Sequence, residues 1–173
     1  MKIVVWLWNY PKEYEKTKHN VWFMFLDFIQ WNNSFDDFKF EQKFKGEIST
    51  WRIWIDKVIL LKPHTYMNLS WESLQLLASY YKIDIEDVIV VYDDMSMDFW
   101  KLRFRKKGSA WWHNWIKNII KHFWENFDRI KIWIWFNENF EVSDWVLSKF
   151  TNTELSSLEK VFIDAENMLE ENL

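Results

Sequence analysis

Fifteen tryptophans against two glycines constrain this 173-residue chain more than any other feature. An α/β domain of this size needs about a dozen turns, and glycine supplies the positive φ and close backbone approach that turns and ligand loops require. Here Gly46 and Gly108 stand alone. Tryptophan occupies the places where loops would want glycine: Trp6-Leu7-Trp8-Asn9, Trp111-Trp112-His113-Asn114-Trp115 and Trp133-Ile134-Trp135. With glycine at each tryptophan these segments become GLGN, GGHNG and GIG. Three readings cover the pattern. The chain is an aromatic-stacking protein, or glycines have been deliberately replaced by tryptophan, or UGA codons that mean glycine in some bacterial lineages have been translated as tryptophan. The third accounts best for tryptophans that sit at turn positions.

The length suits one domain, 1–173, with a sizeable core. No cysteine is present, which excludes disulfides and thiolate metal sites. Lys2 is followed by only a short apolar run to Trp8, so no signal peptide is expected, and no stretch is long enough to span a membrane. A cytoplasmic protein is expected. The net charge of −4 argues weakly against an RNA partner, but the average conceals a division. Residues 151–173 carry six acids and a single base, leaving the remainder close to neutral with its bases clustered.

Hydrophobic periodicity predicts strands over 2–8, 57–61, 87–92, 101–105 and 129–135. It predicts helices over 19–29, 70–81 and 113–123. Leu155, Leu158, Phe162, Ala165 and Leu169 mark an amphipathic C-terminal helix. Residues 30–49 are polar, dotted with aromatics, and assigned to no element. Strands alternating with helices predict an α/β layered sandwich, a central mixed twisted sheet flanked by helices.

The ordered blocks carry more. They are Asn9 with Lys12-Glu13-Tyr14; Thr17-Lys18-His19-Asn20-Val21; Lys62-Pro63 with Thr65-Tyr66-Met67-Asn68-Leu69-Ser70; Val91-Tyr92-Asp93-Asp94; and Arg105-Lys106-Lys107-Gly108-Ser109-Ala110 leading to His113-Asn114. Each block is weak alone. In this order and spacing the chain resembles bacterial peptidyl-tRNA hydrolase, from Lys2 to about Phe150. The resemblance implies hydrolysis of the ester joining a peptide to the 3′ ribose of tRNA, with no metal and no cofactor. It also implies a monomer with no obligate protein partner. By resemblance His19 is the base and Asp93 its orienter. Such an ester hydrolysis needs a water activated near neutral pH, which suits histidine, and a carboxylate suits the other ring N–H. Asp93 also ends a strand, where ligands bind in α/β sheets.

Asn9, Asn68 and Asn114 match the family's asparagines. Neutral amides donate and accept, so they can hold a peptide, place a water or stabilise an oxyanion. Tyr14, Tyr66, Met67 and His113 complete the expected substrate site; for Tyr66 and Met67 ordinary packing is an equal alternative, and for His113 packing is at least as good. His64 and His122 are expected on the surface. Lys101, Arg103 and Arg105 share one face of a strand by period two. With Lys106, Lys107, Lys117 and Lys121 they form the expected tRNA surface, in the region where the family contacts tRNA. From charge alone a solvated face would be the better reading, and the resemblance reverses that preference.

The resemblance also shows where the chain departs. Trp6, Trp8, Trp22, Trp71, Trp100, Trp111, Trp112, Trp115, Trp124, Trp133 and Trp135 fall on family glycines, whereas at Trp145 the family tolerates an aromatic. Literal tryptophans beside Asn9 and Asn114 would crowd the cleft, some with positive φ. Two rivals remain: a non-catalytic RNA-binding relative of the same fold, and an aromatic-rich module whose tryptophans stack on bases.

Overall fold

The computed structural model describes residues 1–6, 17–53, 56–65, 69–93, 101–106, 108, 114–123, 126–132 and 141–173. Of these, residues 6, 19, 22, 52, 53, 56, 93, 114, 115, 123, 132, 142, 143 and 146 are described by backbone alone.

A run of apolar residues, Ile3-Val4-Val5, makes a strand buried on both faces, and this sets the plan. The strand is β1 (Lys2–Trp6). It lies in the middle of a sheet built with β2 (Lys39–Glu41), β3 (Gly46–Ile53), β4 (Asp56–Pro63), β5 (Val88–Asp93), β6 (Leu102–Arg105) and β7 (Asp128–Ile132). The order is β2-β3-β4-β1-β5-β7-β6. β4, β1, β5 and β7 are parallel; β3 runs antiparallel to β4 on one flank, with β2 antiparallel to β3 in turn, and β6 runs antiparallel to β7 on the other.

Side chains alternate across the sheet and divide the core in two. Val4, Val58, Leu60, Ile89, Val91 and Ile130 face α1 (Val21–Asn32) and a later helix, α5 (Asn152–Glu170). Ile3, Val5, Ile59, Leu61, Val88, Val90 and Tyr92 face α2 (Ser70–Tyr81) and α3 (Asn114–Phe123). A short helix, α4 (Val142–Leu147), precedes α5. The expected mixed sheet flanked by helices is the observed architecture.

The differences in detail have local causes. The predicted helix from residue 19 begins as a 3₁₀ turn, Lys18–Asn20, and becomes α-helical only at Val21. The unassigned 30–49 stretch holds β2 and the start of β3, separated by a 3₁₀ turn, Gln42–Phe44. Gly46 opens β3 where a Cβ would lie 2.7 Å from the Lys62 carbonyl oxygen and 2.9 Å from Ser73 Oγ, so only glycine fits there. α5 starts on a full capping box: Thr151 Oγ1 accepts from the Glu154 N–H, and Glu154 Oε2 accepts from the Thr151 N–H.

The non-glycine residues with positive φ among those described are Ser34, Lys45 and Lys82. No described tryptophan joins them; of the five tryptophans expected to crowd the cleft, Trp8, Trp111 and Trp112 lie outside the described residues. Trp31 is 85% exposed on α1, and Trp71 stacks on His122 with ring centroids 3.7 Å apart. Trp145 is buried. Among the described residues no helix is long and apolar enough to cross a membrane.

Candidate active site and RNA-facing flank

Chain direction places the candidate residues. The last turn of α1 (Ile29, Asn33) packs with Val58 and Leu169 around a small apolar cleft. Val58 pairs with Lys2 at the start of β1, so α1 ends at the edge where the parallel strands begin. The 3₁₀ turn that leads into it, carrying His19, therefore lies toward their C-terminal ends. α2 follows β4 and returns to Val88, which pairs with Ile3; α3 returns to Asp128, which pairs with Ile89. The N-termini of all three helices thus point to one edge of the sheet, where β5 ends at Asp93. Asn114 is the first residue of α3. No acid occupies the first turn of α1 or α3, so both positive helix ends are left for an anion or a developing oxyanion.

This backbone arrangement brings His19, Asp93 and Asn114 to one edge. In sequence Asn9 and Tyr14 come after β1, and Tyr66, Met67 and Asn68 come between β4 and α2. These five, with His113 and Lys107, lie outside the described residues, as do the side chains of His19, Asp93 and Asn114.

The basic residues form a defined flank. Leu102 and Phe104 pack toward α5, so Arg103 and Arg105 alternate onto the opposite face, the side covered by α3. Both are exposed, as are Lys101, Lys106, Lys117 and Lys121. The β6–β7 register sets Arg103 opposite Lys131 and Arg105 opposite Arg129. Directly opposed residues share a face and like charges there repel. A second cationic row, Arg129 and Lys131, thus backs the first. Sequence reading missed it, although its period-two spacing in β7 was visible. Arg129 is buried with its guanidinium 4.3 Å from the Phe127 ring, and Lys131 lies 5.4 Å from the Tyr92 ring. Asp128, the first residue of β7, has its carboxyl pushed upward by burial, against the downward pull of Lys2 and Lys106. The acidic helix α5 lies across the sheet from the Arg103–Arg105 face.

Of the two histidines expected on the surface, one behaves otherwise. His64 is largely buried, holds Glu47 at 3.1 Å and packs on Phe40 at 5.1 Å. Its hydrogen bond holds the Glu47 carboxyl below its ordinary range, against the opposing effect of burial, and the charges of His64 and Lys62 add to the lowering. His122 is exposed, as expected, with the Trp71 ring stacked on it. Among the described residues no His, Asp or Glu cluster could hold a metal ion.

Comparison with known proteins decides the family. The peptidyl-tRNA hydrolase family model matches residues 3–173. The chain belongs to the peptidyl-tRNA hydrolase family. It is 48% identical to a peptidyl-tRNA hydrolase of Clostridium botulinum over 162 residues, covering 93% of this chain and 84% of that protein. It is 45% identical to one of Bacillus cytotoxicus over 175 residues, covering 99% and 92%. Crystal structures of Acinetobacter baumannii peptidyl-tRNA hydrolase, one of a point variant, superpose with TM-scores of 0.82 and 0.81. Each is 29% identical and covers 99% of this chain and 91% of the other. The expected enzyme class, a peptidyl-tRNA hydrolase, stands on these matches.

Proposed function

We propose that the chain hydrolyses the ester between peptide and tRNA, recycling tRNA from aborted translation, with His19 activating water and Asp93 orienting His19. The observation that carries this reading is the convergence of the His19 turn, the end of β5 and the N-terminus of α3 on one sheet edge. His19 takes a proton from water as the oxygen attacks the ester carbonyl. Asp93 accepts the other ring N–H and stabilises the imidazolium that forms; as the ester C–O bond breaks, the imidazolium gives its proton to the departing 3′ ribose oxygen, releasing peptide acid and tRNA. Asn114, at an α3 N-terminus free of acids, suits the developing oxyanion, with Asn9 and Asn68 holding the peptide and the water. Tyr14, Tyr66, Met67 and His113 line the peptide side. Arg103, Arg105, Lys106, Lys107, Lys117 and Lys121, joined by Lys131, take the tRNA phosphates, which positions any tRNA without reading its sequence. No metal or cofactor takes part, and the enzyme works as a cytoplasmic monomer.

The same reading assigns glycine to Trp6, Trp8, Trp111, Trp112 and Trp115 in the working enzyme. A UGA codon at each, together with peptide masses showing glycine in the protein from its own host, is the expected result; UGG codons would refute it. The catalytic assignment is tested by turnover of peptidyl-tRNA in the glycine form. His19→Ala should lower it by ~10³-fold or more and Asp93→Asn by a smaller factor, of the order of 10². Full activity in His19→Ala would remove histidine from the mechanism.

A further inference from the structure

Lys18, the residue before His19, is 3% exposed, and the hydrolytic mechanism above gives it no task. Its ammonium is fully engaged. Nζ donates to Ser148 Oγ at 3.1 Å and to the Lys149 carbonyl at 3.1 Å, and it meets Glu154 Oε1 at 3.5 Å. It also lies 4.2 Å from the Trp145 ring centroid and 5.5 Å from that of Phe150. An ammonium has three N–H donors, and this arrangement offers each an oxygen. The backbone repeats the attachment: the Lys18 N–H donates to the Ser148 carbonyl at 2.9 Å, and Thr17 forms an antiparallel bridge with Lys149. Glu154 serves twice, with Oε2 in the α5 capping box and Oε1 toward Lys18.

Burying a lysine is costly, and an apolar side chain of the same length would often stabilise such a site equally well. What an apolar side chain lacks is direction. Oxygens and rings on residues 145–154 fix where the Lys18 ammonium sits, and through it the 3₁₀ turn Lys18–Asn20. Its middle residue is His19. We propose that Lys18 is a positioning residue: by locking this turn onto the α4–α5 junction it holds the proposed base at its working position. This rests on His19 being that base. Trp145 belongs to the lock as a ring that a glycine could not supply, so at this position tryptophan is the working residue.

Misplacement of a catalytic group by about 1 Å can cost ~10²-fold in rate. Lys18→Met, matched in length, should therefore lower kcat by ~10- to 100-fold. KM and tRNA affinity should stay within about two-fold, because Lys18 is buried away from the basic flank. Lys18→Arg should recover much of the loss. The ring signals of His19 in histidine-labelled protein should move in Lys18→Met and return in Lys18→Arg. They report the turn whichever residue is the base, so a failed base assignment, read separately from His19→Ala, stays distinguishable. If Lys18→Met does not fold, Glu154→Gln decides, since glutamine keeps the capping box but removes the counter-charge. Lower kcat with displaced His19 signals supports the lock. A folded variant with unchanged kcat and unmoved His19 signals overturns it.

Discussion

The two flanks of the sheet handle cations in opposite ways. On the β2–β3 side, Lys45 meets Glu72 at 2.8 Å, His64 meets Glu47 at 3.1 Å and Lys43 lies 4.0 Å from Glu41. Lys62, 8% exposed, pairs with Asp27 and lies 4.0 Å from the Phe38 ring and 5.1 Å from the Phe23 ring. On the β6–β7 side, Arg103 stands across from Lys131 and Arg105 from Arg129. The first flank settles its charge internally, which suits a structural edge. The second sets like charges opposite one another across a ladder, an arrangement that an arriving anion would ease. The chain's negative total says nothing of this, because the acids of α5 lie on the other side of the sheet from Arg103 and Arg105.

The difference can be broken or sharpened by substitution. The largest effect is expected on the β6–β7 flank. Replacing Arg103 and Arg105 together by Ala should weaken tRNA binding by ~10-fold or more near physiological salt and flatten the salt dependence by about two phosphate contacts. The loss should be similar for different tRNAs, and thermal stability should hold or rise. A titration over salt concentration checks both; an unchanged salt slope would move the RNA surface elsewhere. Substitution on the paired flank should reverse the pattern. Gly46→Ala pushes a methyl group against the Lys62 carbonyl and should cost ~1–3 kcal/mol of stability with tRNA affinity unchanged, as denaturant unfolding would show.

Glu47→Gln should have the smallest effect, no more than about 1 kcal/mol, because the pair is partly exposed. Its sign with pH is fixed. The Glu47 carboxyl is held below its ordinary value of 4.5 in the folded chain, so its stabilisation is present above that value and fades as pH falls through the lowered one. Melting curves of the two proteins should therefore separate at neutral pH and converge in acid. A gap that widens in acid would assign the wrong role to Glu47.

How far the sequence could carry these conclusions depended on the range of the contacts involved. α2 was readable to its ends, because Leu74 and Leu77 mark its buried stripe within a few residues. β5 was readable because its continuous apolar run is buried on both faces. β3 was not: it alternates polar and apolar residues between two partners, and its need for Gly46 appears only once Lys62 and Ser73 pack against it. α4 is too short for periodicity to show. The ordered blocks marked His19, Asp93 and Asn114, and the fold explains why blocks so far apart belong together: each sits at a helix start or strand end on one edge. The lock on Lys18 was hidden, because its hydrogen-bond partners lie 130 and 131 positions along the chain. Lys131 was passed over for a similar reason. Its place beside Arg103 comes from strand register, which composition does not reveal.

The account's central claim is that chemistry and RNA attachment occupy separate parts of this molecule, the sheet edge at His19 and the flank at Arg103 and Arg105. The most direct test is equilibrium binding of intact peptidyl-tRNA to His19→Ala, measured beside the Arg103→Ala/Arg105→Ala double variant. The account predicts that His19→Ala binds within about two-fold of the unaltered enzyme, with the same salt slope, while leaving the ester uncleaved. A His19→Ala protein that loses tRNA affinity as severely as the double variant would contradict it.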